Sequence, residues 1–139
     1  MSIKRGGNGL LLIELFIALM FFSFAAAICL QIFIGANSFS RDASNKSRAV
    51  IESQNIAECF KAADGDVHEA ARLLGCDAQN GGIELWYDNE WNRVEGSGEF
   101  QASLYVTQEE DIFTRAFLQV RQADNTLIEY EVAALEVEK

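Results

Sequence analysis

One carboxylate stands where carboxylates are rarely tolerated. Residues 10–34 form a 25-residue run in which only Glu14, Ser23 and Gln31 are not apolar. A charged side chain at the centre of a bilayer costs about 2.5–3.5 kcal/mol, and less near an end of the span. Such a residue is a functional candidate whose partner has to be named. The chemistry available to it is ion pairing. In low dielectric a charge pair is worth far more than in water, and leaving one member unpaired is strongly unfavourable. The bland alternative is a carboxyl group that is protonated or that reaches headgroup water.

Other residues offer weaker chemistry. Cys59 and Cys76 lie 17 positions apart and flank a short helical pattern. Outside the cytoplasm they are a candidate disulfide, and closing that loop would stabilise by about 3 kcal/mol on the chain-entropy account. The alternative is two buried thiols, since proximity in sequence does not make proximity in space. Cys29, inside the apolar run, behaves as a small hydrophobe. Asp64-Gly65-Asp66 is a fragment of a calcium-loop pattern without the remaining ligands. It reads better as a helix break. Asp66 and Glu69 then make a capping-box-like start for a short helix over 67–74, with Gly75 at its C-terminal cap. His68 is the only histidine and has no catalytic or metal partner near it in sequence, so it is read as a surface residue. Trp86, Trp91 and Tyr105 form either an exposed aromatic patch or, as the favoured reading, sheet packing. No nucleophile motif, phosphate loop or metal cluster is visible, so neither an enzyme nor a cofactor nor a metal site is expected.

The elements that position Glu14 begin with the apolar run itself. A bilayer core of about 30 Å needs about 20 helical residues, so residues 10–34 are long enough to span. Lys4 and Arg5 are the only charges before the run. Their sign places the N-terminus in the cytoplasm and the rest outside, in a single pass. A secretory signal has an apolar region of about 7–15 residues before its cleavage site, which is too short for this run, although Ala25-Ala26-Ala27 offers a tempting site. A plain signal anchor fits the length and leaves Glu14 unexplained.

A third reading explains it. The stretch Gly9-Leu10-Leu11-Leu12-Ile13-Glu14-Leu15-Phe16-Ile17-Ala18-Leu19, behind a short basic leader, resembles the type IV prepilin signature. The resemblance covers residues 1–62. It implies that a prepilin peptidase cuts the leader, residues 1–9, between Gly9 and Leu10 on the cytoplasmic side and methylates the new amine of Leu10. Glu14 is then the fifth mature residue, expected to meet the N-terminal amine of a neighbouring subunit during assembly. Many major pilins begin with Phe or Met and carry a Gly and a Pro within the first helix. This chain has Leu10, then Ser23 and Gln31 at the matching positions, and no proline at all. A proline kink is excluded, and the departures point to a minor pilin or a type II secretion-type pseudopilin.

Residues 35–62 continue the helix as an amphipathic half. The expected stripe is Ala36, Phe39, Ala43, Val50, Ile51, Ile56, Ala57 and Phe60. Asp42 with Lys46 and Arg48 with Glu52 are expected i,i+4 pairs. The whole helix, from about Leu10 to about Ala62, would be roughly 80 Å long, with Gly35 as its soft point. After Cys76 the alternation changes to period two. Strands are expected over 83–87, 91–94, 100–106, 112–120 and 128–134. Turns are expected at Asp88-Asn89-Glu90, over 96–98, 108–111 and 123–125, and a bulge near Ala133. Thus the fold class is α+β: a long N-terminal helix packed on a C-terminal antiparallel meander, residues 63–139 forming a small extracytoplasmic head. The resemblance implies the same layout, type IV pilin-like.

The 139 residues carry 21 acidic and 11 basic side chains, a net charge of −10, with half the chain hydrophobic. Disorder over most of the chain and a disulfide-dense scaffold are excluded. An acidic chain is not expected to bind nucleic acid directly. Loss of the leader would move the formal charge to −12. The leading expectation is a structural subunit of a pilus-like, secretion or competence filament. Its expected partners are other pilin subunits, the prepilin peptidase, an inner-membrane assembly platform and the membrane. Two competitors remain: a ligand-binding tip subunit, and a single-pass anchored protein that never assembles.

Overall fold

The structure, a computed structural model, describes residues 3–136, with side chains from residue 7 onward. Lys4 and Arg5, which carry the orientation argument, therefore lie outside the described side chains, and Val137 lies outside the described residues altogether. The element order is α1 (Ile3–Ala62), α2 (Val67–Leu73), β1 (Gly82–Tyr87), β2 (Arg93–Val94), β3 (Phe100–Glu109), β4 (Phe113–Gln122) and β5 (Asn125–Leu135). The class is α+β, a long N-terminal helix followed by a five-stranded antiparallel sheet, pilin-like in layout. The chain divides into two compact units, one ending at Ala43 and one beginning at Ser44.

The first unit is helix alone. It starts at Ile3 and not near Leu10, so residues 3–9 are helical as well. Adding turns to an existing helix avoids the cost of a new nucleus, which lets poor formers such as Gly6, Gly7 and Gly9 be drawn in. The helix runs through Gly35 without a break. It is long and apolar enough to cross a membrane.

In the second unit, residues 44–62 of α1 cover one face of the sheet. Ala49, Ser53, Ile56, Ala57, Phe60 and Ala63 are buried. This differs from the expected stripe, because Ile51 is exposed and Val50 only half-buried, while Ala36, Phe39 and Ala43 in the first unit are exposed. Small residues, Ala49 and Ser53, take the place of larger ones on the buried face. Neither expected i,i+4 ion pair closes among the described residues. Glu52 instead accepts a hydrogen bond from Tyr87 at 3.1 Å.

Two caps end the helices, both legible beforehand. After α1, Gly65 donates to Phe60 and Asp64 to Lys61, and both Asp64 and Gly65 have positive φ. Gly65 is buried against β4. A Cβ there would meet Thr114 Cβ at 2.8 Å, so glycine is required by contact as well as by φ. Asp66 caps α2 by accepting from the backbone N–H groups of His68 and Glu69. The Asp66 N–H donates to Ala63, and the Glu69 carboxylate takes the guanidinium of Arg72. Gly75, at φ 70°, closes α2 as expected.

The sheet order is β2-β1-β3-β4-β5. The expected simple meander holds for β3, β4 and β5. However, β2 folds back on the outer edge of β1, and β3 takes the other side. The connection crosses the end of β1 at Gly98, where a Cβ would lie 2.3 Å from the carbonyl oxygen of Tyr87, a path open only to glycine. The second strand is two residues long, shorter than expected. The third runs on to Glu109, which moves the acidic turn past Gln108 and leaves Ile112 exposed in it rather than on the core face. The register break in β5 falls opposite Val120 and Arg121, at Leu127, and not near Ala133. Leu135 pairs with Phe113 in regular register and is exposed for that reason. The core face alternates as expected through Phe100, Ala102 and Leu104, then Ala116, Leu118 and Val120, then Val132 and Ala134.

Candidate functional site

The site singled out by spacing, Gly9, Leu10 and Glu14, lies wholly in the first unit. All three are helical and exposed, with Leu10 72% accessible. Leu10 and Glu14 are i and i+4, so the carboxylate sits on the same face as the Leu10 backbone, one turn away. Nothing lies within 4 Å of a Cβ built on Gly7 or Gly9. Each glycine weakens the helix by about 1 kcal/mol relative to alanine, which makes the turn around the Gly9–Leu10 bond the easiest part of this segment to open. Around Glu14 the surface is apolar and bare: Leu11, Ile13, Leu15 and Ile17 are all about half exposed or more. Among the described residues no cation pairs with Glu14. Glu14 is thus an exposed carboxylate without a partner among the described residues, on an exposed apolar stretch of helix.

The remaining candidates resolve differently. Cys59 and Cys76 are free thiols in this structure, each half-buried against the core, and Cys29 is free and exposed on the apolar helix. Burial raises the Cys76 thiol above its ordinary pKa, against the opposing pull of nearby Arg93, which is the reverse of what activates a nucleophile. His68 is exposed on α2 beside a shallow cleft that also touches Asp64, Asp66, Glu109 and Glu136. Among the described residues no three His, Cys, Asp or Glu side chains gather closely enough to hold a metal.

The three aromatics do not form one patch. Trp91 stacks on Phe100 at 4.1 Å between ring centroids, and its indole N–H donates to Asn45 at 3.3 Å. Its φ of 65° is strained for a bulky residue, and the stacking with the Asn45 contact offsets that strain. Tyr105 lies across Gly82 and donates to Glu84; hydrogen bonding to that carboxylate, with partial burial, pushes its phenol up to about 12. Trp86 shares the outer face with Tyr105 and is half-buried there, lining a cleft of about 500 Å³ with Asp77, Glu84 and Glu95.

Two links between helix and sheet escaped the sequence reading, which paired Glu52 with Arg48 instead. Asn45 and Glu52 tie the helix to Trp91 and Tyr87. They lie seven positions apart, hence on one helix face, and that spacing was the available signal. Burial, together with the Glu52 carboxylate, drives the Tyr87 phenol well above its usual range.

Comparisons with protein-family models, with curated proteins and with solved structures return no match.

Proposed function

We propose that this chain is a type IV prepilin-like subunit, a minor pilin or pseudopilin, cut between Gly9 and Leu10 by a prepilin peptidase and assembled into a pilus-like or secretion filament. One observation carries the reading. Glu14 is the fifth residue of the exposed apolar run, counted from Leu10, and has no partner among the described residues of its own chain. A neighbouring subunit's N-terminal amine, the group that the cut would create, has the charge to complete it. The helix-then-sheet layout supports the reading. In this proposal residues 10–34 hold the subunit in the membrane before assembly and in the filament's apolar interior afterwards. Prepilin peptidase, an assembly platform and fellow subunits are its partners, and the head, residues 63–139, is extracytoplasmic.

The test is the mass of the mature protein. A chain that begins at an N-methylated Leu10 is expected. An intact leader, or a cut after Ala27, would overturn the reading in favour of a plain anchor or a secretory signal. The tip-subunit alternative now rests on Trp86 and its cleft, because Trp91 is occupied by Phe100 and Asn45. It gains ground if Trp86→Ala abolishes binding of a filament's ligand and leaves assembly intact.

A further inference from the structure

The two edges of the sheet are unlike. One is β2, two residues long, whose Arg93 donates to the Leu74 carbonyl. The other is β5, eleven residues long and paired on one side only, with β4. Long open edges invite strand addition, and proteins usually blunt them with lysine, proline or a short span. From Asn125 to Leu135 this edge carries no lysine and no proline, and its one irregularity is confined to Leu127, near its start. In an antiparallel sheet every second residue turns its N–H and C=O to the open side.

The side chains of β5 describe the missing neighbour. On the core side Ile128 and Tyr130 are only half-buried, while Val132 and Ala134 are buried. A further strand with apolar residues on that side would finish covering the first two. On the outer side Glu129 and Glu131 are exposed, and among the described residues the only side-chain hydrogen bond to either is from the neutral Gln119 amide to Glu129. Beyond them, Ala133 and Leu135 are exposed and apolar. A second copy of β5 is a poor occupant, since antiparallel pairing about Tyr130 sets Glu129 against Glu131 and like charges opposite one another are destabilising. The β2 edge of another copy is too short, and its Arg93 pairs with Tyr87, on the core side rather than with the glutamates.

We infer that β5 is a docking edge for an extended segment of another protein, one that alternates Lys or Arg with apolar residues and joins the sheet as a sixth strand. Its basic side chains meet Glu129 and Glu131, and its apolar side chains extend the core beside Ile128 and Tyr130. Backbone pairing supplies affinity and the alternate side chains supply selectivity. The inference stands on the sheet alone and does not depend on the filament reading.

The test uses the full chain in detergent micelles and a short peptide of alternating Lys and Val. Binding is expected to slow amide exchange across Asn125–Leu135 and nowhere else in the sheet. Glu129→Lys with Glu131→Lys should weaken that peptide by about tenfold or more and transfer preference to an alternating Glu and Val peptide. That gain of binding cannot come from a misfolded head. The same reversal at exposed Glu58 and Asp77, away from β5, should change little. Three outcomes would overturn the inference. The first is equal binding of a proline-interrupted peptide of the same charge. The second is equal loss at Glu58 and Asp77. The third is protection of β5 that depends on protein concentration without peptide, which would make a second copy the occupant.

Discussion

The helix α1 carries two apolar stretches with opposite fates. In its first unit Leu10, Phe22 and Phe33 are 72%, 75% and 71% exposed, while in the second Ile56 and Phe60 are 1% and 0% exposed. Each stretch also holds a polar residue on an otherwise apolar surface. Ser53 is fully buried and donates to the carbonyl of Val50 at 2.8 Å, one turn back. Glu14 is exposed and pairs with nothing among the described residues. A hydroxyl can satisfy itself on its own helix, whereas a carboxylate accepts only and needs a donor from elsewhere. The apolar stretch of α1 in the second unit is therefore satisfied from within that unit. The stretch in the first unit is exposed and long and apolar enough to cross a membrane, and lipid and neighbouring subunits are its proposed cover.

The largest effect should follow from removing the incomplete member of that comparison. Glu14→Ala is expected to leave leader cleavage intact and to reduce assembled filament, measured as the sheared extracellular fraction, to near background. The head should unfold at the same temperature as in the parent chain, because no residue of the second unit is touched. Normal filament yield in this variant would break the pairing argument. The mirror experiment lies in the second unit. Phe60→Ala removes a fully buried ring and should cost the head about 3–5 kcal/mol in denaturant unfolding. Leader cleavage should be unchanged.

Which parts of this contrast were legible in the sequence follows from how local the physics is. Asp66 and Gly75 announce α2 because capping involves only neighbours a few positions away. Phe100, Ala102 and Leu104 announce β3 because alternation is a property of one strand. The spacing of Gly9, Leu10 and Glu14 is read from one contiguous stretch, and the structure adds only that all three are helical and exposed. What stayed hidden depends on distant partners. Ala49 and Ser53 are buried because their side of α1 faces the core, and neither announces itself in a pattern that prizes Ile51. The fold-back of β2 depends on the passage at Gly98 across Tyr87, and the latch of Trp91 on Asn45 joins residues 46 apart.

A smaller effect tests whether the second unit's junction is held locally. Asp66→Ala removes the acceptor for the first N–H groups of α2 and should cost about 1 kcal/mol. A second, pH-dependent effect belongs to Tyr105. Its phenol is held up to about 12 in the fold, chiefly by donating to Glu84, and an unfolded tyrosine ionises near 10. A raised acid favours folding while protonated, so its contribution is complete below about pH 10 and is lost as pH rises towards 12. Following phenolate absorbance across that range in the parent chain and in Tyr105→Phe should show one late-titrating tyrosine disappear. Loss of an early-titrating one instead would contradict the Glu84 pairing.

The smallest effect is expected where the two polar residues are compared most directly. Ser53→Ala deletes a hydroxyl in the buried contact. The Val50 carbonyl it leaves behind lies inside α1, where the ordinary i→i−4 ladder still supplies a donor. No polar group is orphaned, one small atom is lost, and alanine is the better helix former. The change in stability should therefore stay within about 0.5 kcal/mol of the parent. Filament yield should be unaffected. A loss of 2 kcal/mol or so would mean that the serine holds something besides its own helix, and the second unit would no longer count as satisfied from within. Near-neutrality at Ser53 together with loss of assembly at Glu14 is the pattern expected if one stretch of α1 finds its partners in its own chain and the other finds them in its neighbours.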